Sequence, residues 1–167
     1  MTPEGPLTGA SACRPAEPAD AAFLLAVYAG SREAELGAVP WSPEQRAAFV
    51  ALQFEAQRRH YTERFPHADH LVLLDDGAAA GRLWVDRGPD EIRVLDLALH
   101  PDHLRSEAAA HALDRLAADA DARRLPIRAH LDPADPLLGT YRSLGFTEAK
   151  SGGPTSCYER MPSPLNL

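Results

Sequence analysis

LDLALHPDHLRSEAAAHALDRL, residues 95–116, reads as a strand ending at His100-Pro101, a short turn, and then a helix. A strand that runs into a helix N-terminus is a natural seat for an anion, because the first-turn N–H groups have no helical partner and the helix dipole favours negative charge. Where such a junction holds a pyrophosphate it is usually rich in glycine, which lets the backbone come close. Here no glycine occurs between Gly88 and Gly139. The chain has the outline of a phosphate cradle with an altered lining.

Working outward, the helix of this stretch continues to about Arg124 and places Leu104, Ala108, Leu113 and Leu116 on one side, as a cover for a sheet. Before it lie three apolar runs, "HLVLLDD", "AAAGRLWVDR" and "EIRVLDLALHP". Asp76-Gly77 and the segment "GPDE" separate them as turns, which predicts an antiparallel meander. After it, "LPIRAHLD" is a further strand, so residues 93–131 form a strand–helix–strand step and imply one parallel pair. "DPLLGTYRSLGF" reads as a short helix ended by Gly145, and "FTEAKS" with "TSCYERM" as a final hairpin around Gly152-Gly153-Pro154.

The front half is helical. "ASACRPA" is a short first strand. Phe23, Leu24, Val27 and Tyr28 then recur at helical spacing, with Gly30 expected to end or bend that helix. "GAVP", residues 37–40, is a loop. Ser42, Pro43 and Gln45 form an N-cap, a first-turn proline and a capping box for a second helix, which should run to about Arg64 and stop at Pro66. Phe49, Leu52, Phe54 and Ala56 are its expected buried face, and Gln53, Gln57 and Tyr61 fall at i, i+4 and i+8 as a polar stripe.

Composition bounds the function. A chain of 167 residues, 45% hydrophobic, is long enough for one domain with a substantial core. Residues 1–9 read as a flexible N-terminus, 10–162 as the domain and 163–167 as a tail. The net charge of −7 argues against non-specific nucleic-acid binding and mildly favours a cationic or amine ligand. Cys13 and Cys157 have no metal-ligand spacing and read as reduced thiols. His100, His103 and His111 lack a ligating pattern, so no metal is expected. No apolar run reaches membrane-spanning length and none follows a basic leader, which predicts a cytoplasmic protein with no membrane partner.

From Ala12 to Pro162 the chain resembles the GNAT acyltransferase superfamily. The resemblance rests on "LALHPDH" leading into the long helix, and on "DPLLGTYRSLGF", which is similar to the family pattern N-x-x-A-x-x-L-Y-x-x-x-G-F. The element order adds to it, as does "SREAEL…PW…FVALQFEAQRRHY", similar to the front half of one bacterial subgroup. It implies an α+β fold, with a mixed, mostly antiparallel sheet of about six or seven strands flanked by about four helices. It also implies acetyl transfer from acetyl-CoA to a small-molecule or peptide amine. Many members pair as homodimers, and that expectation carries over.

In the family the fourth and fifth strands part after a bulge, and the pantetheine arm fills the gap along the fourth. Here that edge is Leu97, Ala98 and Leu99. The pyrophosphate motif, Gln/Arg-x-x-Gly-x-Gly/Ala, falls on Leu104, Arg105, Ser106, Glu107, Ala108 and Ala109. Leu104 and Glu107 depart from it. A carboxylate aimed at the pyrophosphate from 4–5 Å would cost about 3–4 kcal/mol at an effective dielectric near 20. Acidic residues also stabilise a first helical turn, so the substitutions are consistent with a helix repaired for stability. Arg105 and Ser106 offer a charge and a hydroxyl in compensation.

Acyl transfer needs a base for the amine, donors for the oxyanion and a proton for the departing thiolate. The resemblance gives Tyr141 the last role. Asp96, beside the expected reaction centre, is placed either to act as base, directly or through water, or to pair structurally with Arg82 or Arg93. Asp135 stands where the family usually has Asn, and is equally suited to capping the helix of Tyr141. Arg32, Glu35 and Trp41 around the first helix–helix loop, with the stripe Gln53, Gln57 and Tyr61, form the candidate acceptor pocket. The alternatives for the last two sets are an internal Arg32–Glu35 pair and a solvated helix face. Two other functions compete with acetyl transfer: a catalytically inactive binding protein on this scaffold, and a transferase using a non-CoA donor such as a carrier-protein thioester.

Overall fold

The computed structural model describes residues 12–165. The expected flexible segment 1–9, the start of the first strand and the last two residues of the tail lie outside the described residues. The observed order is β1 (Cys13–Pro15), α1 (Ala21–Leu36), α2 (Pro43–Arg64), β2 (Asp69–Asp75), β3 (Ala78–Arg87), β4 (Ile92–Leu99), α3 (Ala108–Arg123), β5 (Ile127–Leu131), α4 (Leu138–Ser143), β6 (Thr147–Lys150) and β7 (Ser156–Arg160). This is the order read from the sequence. The strands form one sheet, β1-β2-β3-β4-β5-β7-β6, in which only β4 and β5 run parallel. The β2–β3 turn is tight because Asp76 and Gly77 both take positive φ, 48° and 82°.

Each face of the sheet buries its own core. On one side Leu83, Val85, Ile92, Val94, Leu97 and Leu99 pack against Ala109, Leu113, Leu116 and Ala120 of α3. The small alanines let the helix lie close to the strands. On the other, Val72 packs against Leu24 and Tyr28 of α1 and Val50 and Phe54 of α2. Beyond the expected domain end, the Ser163 amide donates to Asp121 of α3 at 2.8 Å. Among the described residues no helix is long and apolar enough to cross a membrane.

The structure departs from the sequence reading in three local ways. Gly30 does not end α1, which continues to Leu36. The absent side chain instead makes room for Pro101, whose Cγ would lie 2.6 Å from a Cβ built there. The helix α3 starts at Ala108, because Pro101–His103 form a short 3₁₀ turn and the Ser106 hydroxyl accepts the Ala108 N–H at 3.1 Å. Leu104 therefore sits in the turn, 59% exposed, and not on the buried face. The buried face of α2 is also rotated. Val50 and Phe54 point inward, whereas Leu52 is 71% exposed and Ala56 is exposed. The next two turns of that inward face carry Gln57 and Tyr61, because the sheet beneath them holds a buried charge that needs polar partners.

The box at the start of α2 is as read. The Ser42 hydroxyl accepts the Gln45 N–H at 3.1 Å, and the Gln45 side-chain oxygen accepts the Ser42 N–H at 2.9 Å.

Candidate active site

The central feature is an opening in the sheet. β4 pairs with β5 only at Ile92↔Ile127, Arg93↔Arg128 and Val94↔Ala129. Against β3 the register jumps from Trp84↔Asp96 to Val85↔Val94, so Leu95 has no partner and forms a bulge. The extra residue bends β4 away from β5, whose other edge pairs with β7 along its whole length. From Leu95 to Leu99 the β5-facing edge of β4 is left without a ladder. Leu97 and Leu99 turn their side chains into the α3 core, so along with Ala98 they offer backbone to the opening.

Tyr141 of α4 is 1% exposed and packs edge-to-face on Phe146, with ring centroids 5.1 Å apart. Burial pushes its phenol well above the ordinary tyrosine value, and the charges of Asp135 and Asp96 add to the rise. It therefore stays protonated at neutral pH, within electrostatic reach of both carboxylates. Asp135 accepts the Leu137 N–H at 2.8 Å and so fastens the turn that starts α4. Burial raises its pKa, the Leu137 hydrogen bond opposes the rise, and the Asp96 charge reinforces it.

At the start of α3 the side chains of Ala108 and Ala109 are in the core, leaving only their backbone for a ligand. Arg105 is exposed, and among the described residues it has no carboxylate at ion-pair distance. Glu107 points outward, its side chain 81% exposed and 3.6 Å from the His111 ring nitrogen. Exposure raises the effective dielectric, so at 4–5 Å its repulsion of a phosphate falls from about 3–4 to about 1 kcal/mol. An outward Glu107 would repel a phosphate less than a carboxylate aimed at it.

The front helices divide the remaining candidates into two groups. Gln57 and Tyr61 reach the sheet. Arg82 of β3, 1% exposed, donates from Nε to Asp96 Oδ2 at 2.6 Å and from a terminal nitrogen to Gln57 Oε1 at 2.5 Å. Its guanidinium also lies 5.6 Å from the Phe54 ring centroid and 5.8 Å from that of Tyr28. The other terminal nitrogen of Arg82 is buried with no hydrogen-bond partner. The Tyr61 hydroxyl donates to the carbonyl of Leu95, the bulged residue, at 3.0 Å. Burial, then the Asp96 charge, raises its pKa. The Tyr61 ring meets Trp84 edge-on at 5.1 Å, and His70 stacks on Trp84 at 4.1 Å. Burial, followed by the Arg82 charge, holds His70 down to about 4.

Arg32, Glu35 and Gln53 form the second group. With Tyr28, Leu36, Phe49 and Val50 they line a cavity of about 150 Å³ between α1 and α2. Arg32 and Glu35 pair at 3.2 Å, as their spacing allowed, and Arg32 lies 5.2 Å from the Tyr28 ring centroid. Trp41 packs against Phe49 at 4.9 Å, outside the lining of the cavity. Sequence reasoning named Arg82 only as a partner for Asp96 and missed His70 and Trp84. The available signal was an arginine inside the apolar run from Ala78 to Val85 of β3. Among the described residues no three metal-ligating side chains gather.

No protein-family profile matches the chain, and no curated protein sequence matches it significantly. Solved structures do. The PaiA N-acetyltransferase of Thermoplasma acidophilum, in complex with coenzyme A, superposes with a TM-score of 0.69 at 13% identity, covering 92% of this chain and 99% of its own. An acetyltransferase of Thermus thermophilus gives 0.64 at 23% identity, covering 92% and 97%. The ribosomal-protein-S18-alanine N-acetyltransferase of Escherichia coli gives 0.59 at 20%, covering 94% and 98%. The chain has the fold of the GCN5-related N-acetyltransferases, over nearly its whole length.

Proposed function

We propose that this protein is a cytoplasmic acyl-CoA-dependent N-acyltransferase that moves an acetyl group from acetyl-CoA to the amine of a small-molecule or peptide acceptor. The observation that carries the reading is the opening between β4 and β5, with the free backbone of Leu97–Leu99 on one side and the protonated Tyr141 in reach. The opening suits a slender thiol-bearing arm. Leu97, Ala98 and Leu99 would hold that arm through their backbone, and Arg105, Ser106 and the amides of Glu107 and Ala109 would meet its phosphates, the Ala108 N–H being taken by the Ser106 hydroxyl.

Acetyl-CoA supplies an acetyl group activated as a thioester. Asp96, with Oδ2 committed to Arg82, offers Oδ1 to take a proton from the acceptor amine, directly or through water. Tyr141 holds a proton at its phenolic oxygen for the departing sulfur. Asp135 keeps the turn before α4 in place and so fixes Tyr141. The cavity lined by Arg32, Glu35 and Gln53 is the acceptor's side of the site, with Trp41 at the adjoining loop. The glycine-free turn at Leu104 and Glu107 favours one second reading, a donor without nucleotide phosphates such as a carrier-protein thioester.

Titration with acetyl-CoA tests the proposal. At a hundredfold excess over Kd, binding adds about 2.7 kcal/mol, and the melting temperature of a chain this size rises by about 5–11 °C. Thiol release on addition of an amine panel then reports turnover. No thermal shift at millimolar acetyl-CoA would remove the reading.

A further inference from the structure

We infer that Tyr61 is a positioning residue for the donor slot: with Gln57 it fastens the bulge of β4 to α2, so that the front helices hold the slot open before any ligand arrives. The inference rests on the acyl-transfer reading for its functional meaning. Four observations carry it. The edge of β4 that would normally be held by β5 is free from Leu95 onward. The carbonyl of Leu95 is instead held by the Tyr61 hydroxyl at 3.0 Å. The next residue, Asp96, is held through Arg82 to Gln57, one turn earlier on the same face of α2. At the far end of the free stretch, His100 stacks on Phe23 of α1 at 5.5 Å, and Pro101 fits against Gly30.

Leu95 has no cross-strand partner, and from Asp96 to Leu99 β4 is laddered only to β3, so this stretch is held from one edge and opens more readily than a strand paired on both. Here both ends of the segment are anchored to α1 and α2. The Tyr61 bond also decides which way the bulged peptide faces. With the Leu95 carbonyl turned toward α2, it cannot pair across the opening with β5. A slot preformed in this way saves a ligand the cost of ordering it. The same two helices line the cavity assigned above to the acceptor, so the donor slot and acceptor side share one support.

Tyr61→Phe is the test, because it keeps the ring against Trp84 and removes only the donor. Two readouts are compared with wild type and with Leu52→Ala, an exposed position on α2. Amide hydrogen exchange should accelerate at least tenfold at residues 95–99 while β2 and α3 stay within twofold. The acetyl-CoA Kd should weaken by about two- to tenfold, the range set by one net hydrogen bond. Unchanged exchange at residues 95–99 overturns the inference. So does a uniform rise across all strands, which would make Tyr61 a general stabiliser. If Tyr61→Phe does not fold, Gln57→Met, which cuts the second anchor, is read in the same way. Failure of wild type to bind acetyl-CoA would sink the acyl-transfer reading alone, since the exchange experiment needs no ligand.

Discussion

Replacing Asp96 by alanine strands a buried cation. Arg82 is 1% exposed, one terminal nitrogen already lacks a partner, and Asp96 is its carboxylate. Removing one member of a buried pair costs about 3–5 kcal/mol, because the survivor stays desolvated and uncompensated. Gln57 keeps one hydrogen bond, and the rings of Phe54 and Tyr28 return about 1 kcal/mol through cation–π attraction. A net loss of about 2–4 kcal/mol is expected, or a fall of about 4–16 °C in melting temperature for a chain of this size. Asp96→Asn, which keeps an oxygen acceptor, should cost less. The double variant Arg82→Met with Asp96→Ala should be more stable than Asp96→Ala alone, since no buried charge remains. Urea melts at pH 7, with m-values checked for constancy, measure all three. A loss below about 1 kcal/mol for Asp96→Ala, or strict additivity in the double variant, would refute the account of Arg82 as a cation that depends on this carboxylate.

Tyr141→Phe should lower kcat by about a hundredfold or more while leaving the acetyl-CoA Kd within about twofold, the pattern expected of a lost proton donor. Because its phenol titrates well above 10, any alkaline limb it causes in the pH profile should lie beyond that value. Glu107→Gln should tighten acetyl-CoA by about fivefold at low ionic strength, from a repulsion of about 1 kcal/mol, and the gain should fade in calorimetry at 0.5 M salt. Asp20 and Asp121 are lowered to about 2 by hydrogen bonds from Arg14 and Arg160. Their contribution is complete above the unfolded value near 3.9 and is lost as pH falls through about 2. His70, a base lowered to about 4, acts in a higher window: the unfolded chain takes up its proton first, so stability falls as pH drops from about 6.5 to about 4. Urea melts from pH 7 to 2 should show both limbs, and His70→Gln should flatten only the upper one.

Most of the fold was legible because its signals are local. Ser42-Pro43-Gln45 reads as a helix start from three residues, and Asp76-Gly77 as a hairpin turn from two. The parallel step from β4 to β5 follows from a strand–helix–strand order that admits one common handedness. The candidate site was legible where a residue sits on such a marked element. Arg32 and Glu35 pair within one helix turn, as their spacing allowed, whereas Asp135, offered as a cap for α4, sits two residues before the N-cap Leu137 and holds the preceding turn through the Leu137 N–H.

What the sequence determined by itself, then, was element order, caps, turns and the presence of a strand–turn–helix junction without glycine. What only the tertiary structure decided was orientation. Periodicity alone turned Leu52 and Ala56 of α2 inward. The helix rolled the other way, because Arg82 is buried under it and a desolvated guanidinium recruits Gln57 and Asp96 more strongly than the sheet rewards one more apolar contact. Glu107 likewise carries the same charge in either reading. Its direction depends on where the 3₁₀ turn at Pro101–His103 lets α3 begin. That turn is seated by Pro101 against Gly30, across about seventy residues of chain that no local pattern can span.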